Sequence, residues 1–122
     1  MTAQKKEQSQ FSATVRKDGI ISIVEKPTAT ENSYKQMRKK VLGLCQKDKD
    51  FFLIDLRKGI MPSVKSRKII SEMLRTCNPV KIAFVQNILM LRIMAKFIML
   101  SAGIRKFKFF GSEKEALQWL KK

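Results

Sequence analysis

The sequence predicts an α/β fold with a mixed, mostly parallel sheet and an N-terminal β-hairpin, in the order ββαβαβαβα. One observation behind this prediction is that short apolar runs alternate with segments of helical spacing, which is typical of parallel sheets covered by helices. Another is that Asp18-Gly19 separates two alternating runs within residues 11–25, and Asp-Gly is a strong hairpin signal. A chain of 122 residues can bury one core. We therefore expect a single domain over residues 11–122 behind a short polar tail at residues 1–10.

A helix and a central strand are predicted after the hairpin. Thr28 or Thr30 is positioned to open a helix over residues 30–46, in which the apolar residues recur at helical spacing. Those apolar residues are Tyr34, Met37, Val41, Leu44 and Cys45. Residues 50–56 form a continuous apolar run, which indicates a strand that is covered on both faces.

A second helix and a second buried strand follow. Ser63 is a suitable N-cap for the helix, and Asn78-Pro79 ends it. The predicted buried face of this helix comprises Val64, Ile70, Met73, Leu74 and Cys77. Residues 80–85 are rich in β-branched and aromatic side chains and stop at a polar Gln-Asn pair, so they predict a strand.

The last three elements are a helix, an outer strand and a short closing helix. The helix is predicted over residues 87–102 and ends at Gly103. Residues 106–110 alternate in polarity, as expected of an outer strand, and residues 112–120 begin with a capping box.

Residues 80–103 are apolar over a length that could cross a membrane, but Lys81, Arg92 and Lys96 interrupt them. A charged residue near the centre of a bilayer costs about 2.5–3.5 kcal/mol on insertion scales. A strand followed by a helix therefore explains the segment better than a membrane span. The first ten residues also lack the apolar segment of a secretory signal, so we expect a cytoplasmic protein.

The chain is strongly basic. Its 26 lysines and arginines against 10 aspartates and glutamates give a net charge of +16. This excess favours acidic partners, such as nucleic acid, an anionic membrane surface or an acidic protein. The basic residues are spread along the whole chain, however, and a dispersed excess is more typical of a solvated surface than of a binding stripe.

The residue inventory argues against most catalytic chemistry. There is no histidine, which excludes nucleophiles activated by histidine and metals bound by it. Cys45 and Cys77 are far apart in sequence and belong to no Cys-x-x-Cys pair. They are expected to be reduced, half-buried thiols rather than a disulfide or a metal site. We predict no cofactor, no metal and no enzymatic activity.

Several phrases of the sequence are informative when they are taken together in their order. They are "DGIISI" in the hairpin, "FFLIDLRKG" at the central strand, "KIAFV" with the downstream "RIMAKF", and the ending "KFFGSEKEALQWL". Together they resemble the STAS superfamily, and more narrowly its SpoIIAA-like (STAS/SEC14) branch of small bacterial proteins. The resemblance covers residues 11–120. It implies a compact α/β layer and a non-enzymatic role in regulation or ligand binding.

The resemblance also draws attention to Ser63. Anti-sigma-factor antagonists of the superfamily carry a phosphorylated serine in an Asp-Ser-Ser-Gly-like turn, and Ser63 lies at about the same place. Here the turn reads "GIMPSVKS", without the acidic neighbour and the glycine. A phosphate at a helix N-terminus would be favoured by the helix dipole, but an ordinary N-cap worth about 1 kcal/mol explains the same serine.

A basic crevice is predicted where the two parallel strands end. The helices that start at Ser63 and Asn87 begin there, so backbone N–H groups and basic side chains would face one edge of the sheet and could bind an anionic group. The candidate residues are Asp55, Arg57, Lys58, Ser63, Lys65 and Arg67. Asp55 is equally explained as a loop-organising carboxylate that pairs with Arg57 or caps a helix.

The helix at residues 87–102 is the main functional hint. Arg92 and Lys96 occupy a narrow wedge of an otherwise apolar wheel, and a helix that covers a sheet needs an apolar stripe of only about 100°. Either neighbouring helices cover the excess, with the methionines as adaptable filler, or something outside the domain does. The candidate partner-surface residues are Met90, Arg92, Met94, Lys96 and Phe97.

The sequence therefore predicts a small regulatory or adaptor module that acts through this helix on a protein partner, on an acidic partner or on a second copy of itself. Two alternatives stay open. A nucleic-acid-binding protein would use the dispersed basic surface. A carrier of lipid or of a small hydrophobic ligand would use the apolar helix, which could also make peripheral contact with lipid.

Overall fold

The computed structural model describes residues 11–26, 30–59 and 61–122. Within these residues, five strands form one sheet in the order β1-β2-β3-β4-β5. The strands are β1 (Phe11–Val15), β2 (Ile21–Glu25), β3 (Phe51–Asp55), β4 (Lys81–Val85) and β5 (Phe107–Phe110). The helices are α1 (Glu31–Leu44), α2 (Val64–Cys77), α3 (Leu89–Ser101) and α4 (Glu113–Leu120). β1 is antiparallel to β2 and all other neighbours are parallel, which confirms the predicted order and the predicted mixed sheet.

The hairpin turns where Asp18-Gly19 predicts it. Arg16 N donates to Ile20 O at 2.8 Å and Gly19 N donates to Arg16 O at 2.9 Å. Gly19 has a φ of 85°, a conformation that favours glycine. Asp18 accepts hydrogen bonds from Arg16 and forms an ion pair with Lys121. Burial opposes these contacts, but together they lower the pKa of Asp18 to about 2.

The sheet separates two apolar layers. Alternate residues of β3 point to opposite faces, so Phe52 and Ile54 belong to one layer and Leu53 to the other. The larger layer lies between the sheet and α1, α2 and α3, while the smaller layer lies under α4. β3 and β4 are covered on both faces, as their continuous apolar runs predict.

The three crossover helices share one face for a topological reason. Each connection between parallel strands moves one position in the same direction along the sheet. Because such connections are almost always right-handed, repeated steps in one direction place every helix on the same side. The helices therefore form a row in which α2 packs against both α1 and α3, and α3 is the last member.

The ends of the helices lie close to the positions that the sequence predicts. Thr30 caps α1, since Thr30 N donates to Ser33 Oγ at 2.7 Å and Ser33 N donates to Thr30 Oγ1 at 3.3 Å. The alternative cap Thr28 and the predicted polar tail lie outside the described residues. Gly103, with a φ of 77°, ends α3 as predicted.

Two predicted positions need correction. Val64 was expected on the buried face of α2, but its side chain is exposed because it lies roughly half a turn from the residues that face the core. Ile69 is buried in that layer instead. The last long helix begins at Leu89 rather than at Asn87, because the chain stays extended through Ile88.

Truncation of a core residue of α2 tests this assignment. Leu74 is fully buried in the larger layer, so Leu74→Ala is expected to lower the free energy of unfolding by about 2–5 kcal/mol. Val64→Ala, on the same helix but exposed, is expected to change it by less than about 0.5 kcal/mol. Urea denaturation measures both, and equal losses would contradict the assignment.

Candidate functional site

The buried side-chain amide of Gln86 lies at the end of the sheet where β3 and β4 have their carboxyl ends. Gln86 Nε2 donates to Leu56 O at 2.6 Å, and Gln86 Oε1 accepts from Ile88 N at 2.8 Å. The backbone N–H of Gln86 donates to Phe110 O at 3.0 Å. The side chain of Gln86 thus binds a backbone N–H at the start of α3 that the predicted crevice would have offered to an anion.

Asp55 and Arg57 are brought together by the same edge. Arg57 Nε donates to Asp55 Oδ1 at 3.0 Å, and the guanidinium Nη2 lies 2.7 Å from Oδ2. These hydrogen bonds hold the pKa of Asp55 below its ordinary value, against the opposing effect of burial. Asp55 therefore serves the loop-organising role that the sequence allowed, and it neutralises the nearest guanidinium of the predicted crevice.

The remaining crevice candidates differ in their contacts and exposure. Ser63 Oγ accepts from Ser66 N at 3.1 Å, which is the geometry of an ordinary N-cap. Lys58 and Lys65 are exposed, and Arg67 turns towards α3. Anion binding here and phosphorylation of Ser63 stay predictions.

The outward side of α3 carries large apolar side chains that no part of the described chain covers. The predicted Met90 and Phe97 are 62% and 64% exposed. Three neighbours on the same side were not among the predicted residues: Leu89 is 71% exposed, Leu100 is 54% exposed and Ile93 is 41% exposed. We call Leu89, Met90, Ile93, Phe97 and Leu100 the outer strip.

The side of α3 opposite the outer strip packs against the sheet. Ala95, Ile98 and Met99 are buried in the larger layer. Neighbouring helices therefore do not cover the excess, because α3 ends the row and has a helix on one flank only. A helical wheel finds the outer strip once the buried side of the helix is known.

Positive side chains flank the outer strip on both sides. Towards α2, Phe97 lines a groove together with Arg67, Lys68 and Arg75. Towards β5, Lys96 is exposed and Arg92 is half-buried. Within the part of the chain that the structure describes, none of these five cations forms an ion pair with a carboxylate.

Two of the predicted partner-surface residues, Arg92 and Met94, hold α3 against its neighbours and do not belong to the outer strip. The Arg92 guanidinium donates to Gln86 O and lies 5.7 Å from the ring centre of Phe109. Met94 is half-buried, with its sulfur 3.3 Å from Arg67 Nη1. Both contacts fix the rotation of α3 on its neighbours and so the direction in which the outer strip faces.

A small apolar cavity lies beneath α3. Its volume is about 70 Å³, and it lies between the sheet and the three helices of the row. One wall is polar, where Tyr34 Oη donates to Glu25 Oε2 at 2.8 Å; burial and this carboxylate both raise the pKa of Tyr34. An apolar cavity of roughly 150 Å³ accommodates benzene, so this one is too small for an acyl chain. The sequence offered no signal for it.

Gly59 makes room for the buried carboxylate at this cavity. A Cβ atom at position 59 would lie 2.8 Å from Glu25 Cδ. A side chain at position 59 would require the carboxyl end of Glu25 to shift, so the glycine permits this close approach.

The thiols of Cys45 and Cys77 meet although they are far apart in sequence. Their sulfur atoms are 2.9 Å apart, and both residues are free cysteines. Cys77 is buried, whereas Cys45 is half-buried. Burial, with the neighbouring Cys45 thiol, raises the pKa of Cys77.

No described helix is both long enough and apolar enough to cross a membrane. Nor do the described residues include a cluster of three or more cysteines and carboxylates that could hold a metal ion.

A comparison with known protein families identifies the family of this chain. The profile of a family described as a domain of unknown function (DUF7793) matches residues 14–122. The chain belongs to this family. No curated protein matches this DUF7793 chain.

A solved structure supports the fold of this DUF7793 domain. It is the crystal structure of an uncharacterised DUF3478-family protein with a SpoIIAA-like fold from Shewanella loihica PV-4. The TM-score is 0.69 at 16% identity, over 90% of this chain and 91% of the other. The SpoIIAA-like fold that the sequence resembled is therefore confirmed, and at this identity the likeness concerns the fold alone.

Removal of the Arg57 guanidinium tests the electrostatics of the Asp55 loop. In Arg57→Gln the pKa of Asp55 is expected to rise towards its ordinary value, while Lys65→Gln leaves it unchanged. Because the folded-state pKa is lowered, the pair stabilises the native state above the ordinary pKa, and this contribution is lost as the pH falls through the lowered value. Carboxyl NMR titration measures the shift; equal pKa values in the two variants would contradict the pairing.

Proposed function

We propose that the protein is a non-enzymatic binding module that docks on an anionic membrane surface through the outer strip of α3. The observation that carries this proposal is the exposure of five large apolar side chains on one side of a helix, between two groups of cations. Contiguous apolar surface of this kind, rimmed by polar residues, marks interaction sites on soluble domains.

The charge of the chain argues against a second copy as the occupant. Each copy carries a net charge of +16. A symmetric contact would bring the same surface of both copies together, so the positive flanks of one strip would approach the positive flanks of the other. Like charges placed together across an interface cost free energy, and the partner of the outer strip is therefore expected to be acidic.

An anionic lipid surface fits the shape of the strip better than an acidic protein. The strip lies on a convex helix of 13 residues, which is about 20 Å long. A protein partner would have to supply an apolar groove with carboxylates along both of its sides. An anionic bilayer offers both chemistries without a matched shape, and helices that lie in the interface combine an apolar side with lysine and arginine.

The expected affinity is moderate. Cations close to an anionic leaflet each contribute about 1 kcal/mol, so the exposed Lys68, Arg75 and Lys96 together contribute about 3 kcal/mol. Partial burial of the outer strip adds a comparable amount at about 25 cal/mol per Å². After the cost of immobilising the protein, dissociation constants in the micromolar range are expected, which suits reversible docking.

The placement of the titratable groups supports binding rather than catalysis. Asp55 is paired with Arg57, and Tyr34 donates to Glu25 inside the apolar layer. Cys77 is fully buried, so its thiol is out of reach of a substrate in solvent.

Vesicle flotation tests the proposal directly. The purified protein is expected to float with vesicles of equal parts phosphatidylglycerol and phosphatidylcholine, and not with phosphatidylcholine alone. Binding should weaken as salt is added, because the electrostatic part is screened. Absence of binding to the anionic vesicles would overturn the proposal, and a dimer in sedimentation velocity would then identify a second copy as the occupant.

Substitutions in the strip and its flank locate the docking surface. Phe97→Gln is expected to weaken vesicle binding about tenfold through lost apolar burial, and Lys96→Gln by about fivefold through lost charge. The matched controls Leu42→Gln and Lys40→Gln lie on α1, at the other end of the row, and should leave binding unchanged. Equal effects in strip and control variants would show that α3 is not the docking surface.

A further inference from the structure

We propose that Cys45 and Cys77 form a reversible disulfide when the protein meets a hydroperoxide. The inference rests on the placement of the two thiols and is independent of membrane docking. It assigns a modification site to the end of the sheet where β3 and β4 begin, opposite the end where α3 begins.

The topology brings the two cysteines together. Cys45 is the C-cap of α1 and Cys77 is the last residue of α2, and these helices lead into the neighbouring parallel strands β3 and β4. The ends of consecutive crossover helices therefore lie side by side at the edge where the strands begin. The 2.9 Å between the sulfur atoms leaves a closure of about 0.9 Å to the length of a disulfide bond.

Exposure gives the two thiols different roles. Cys45 is half-buried and is therefore the more accessible of the two residues to a small oxidant. Cys77 is fully buried against the larger apolar layer, and the sulfur of Cys45 lies next to its own. Cys45 is therefore the residue that is oxidised first, and Cys77 is the residue that resolves the product.

The chemistry balances with one hydroperoxide. The Cys45 sulfur attacks the terminal peroxide oxygen, the O–O bond breaks, and a sulfenic acid and one molecule of water form when the oxidant is hydrogen peroxide. The Cys77 sulfur then displaces the hydroxyl group from the sulfenic sulfur. The S–S bond forms, and the hydroxide leaves as a second water with the proton of Cys77. A dithiol reductant reverses the oxidation by exchange.

The bond would connect the ends of two helices of the row. The cysteines are 32 positions apart, so the bond would close a long loop that includes β3 and most of α2. Restricting such a loop in the unfolded chain stabilises the folded state. Oxidation is therefore expected to raise the melting temperature by roughly 5–15 °C.

Intact-mass spectrometry of the full chain tests the site. These are the only two cysteines, so an intramolecular disulfide has only one assignment. Treatment with stoichiometric hydrogen peroxide is expected to remove two hydrogen atoms per chain, to abolish alkylation of both thiols together and to raise the melting temperature. Dithiothreitol should restore the original mass and melting temperature.

Cys45→Ser supplies the decisive comparison, because this half-buried position tolerates a hydroxyl group. In this variant peroxide should leave Cys77 open to alkylation after unfolding, and the melting temperature should not rise. Wild-type protein that keeps both thiols after peroxide treatment would overturn the inference. Disulfides between chains, seen as covalent dimers on non-reducing gels, would overturn it as well.

Discussion

The right-handed connection between neighbouring parallel strands is the constraint on which the rest of this structure depends. The sheet is built by three such connections that all step in one direction, so α1, α2 and α3 must form a single row on one face. The opposite face is left to α4, the element after the last strand. A row has two ends, and α3 is the helix at the end away from the hairpin. Its uncovered side is a consequence of topology, not of imperfect packing.

The buried residue Gln86 fixes the orientation of α3 on the sheet. Gln86 connects the loop after β3, the end of β5 and the start of α3 through its side chain and backbone, and Arg92 binds its carbonyl oxygen from one turn into the helix. The side-chain amide bonds only to the backbone groups Leu56 O and Ile88 N, so these two contacts do not depend on the side chains of Leu56 and Ile88. The rotation of α3 is thereby set, with Ala95 and Ile98 inward and the outer strip outward.

The high positive charge and the exposed apolar strip make sense together. A domain with several uncovered large apolar side chains on one helix is at risk of self-association. A net charge of +16 distributed over the whole surface opposes that association between copies. It also biases the strip towards acidic surfaces, so the dispersed lysines need no recognition motif of their own. α3 itself contains no carboxylate among its 13 residues.

By itself the sequence determined the order of the elements, the hairpin at Asp18-Gly19 and the two strands covered on both faces, because these depend on local turn chemistry and on hydrophobic periodicity. It also singled out α3 as too apolar for its place. Only the tertiary structure decided which side of α3 stays uncovered and that two distant cysteines meet. Those features depend on the phase of each helix and on which element ends the row. Both are set by contacts between residues far apart in the chain, which no local pattern encodes.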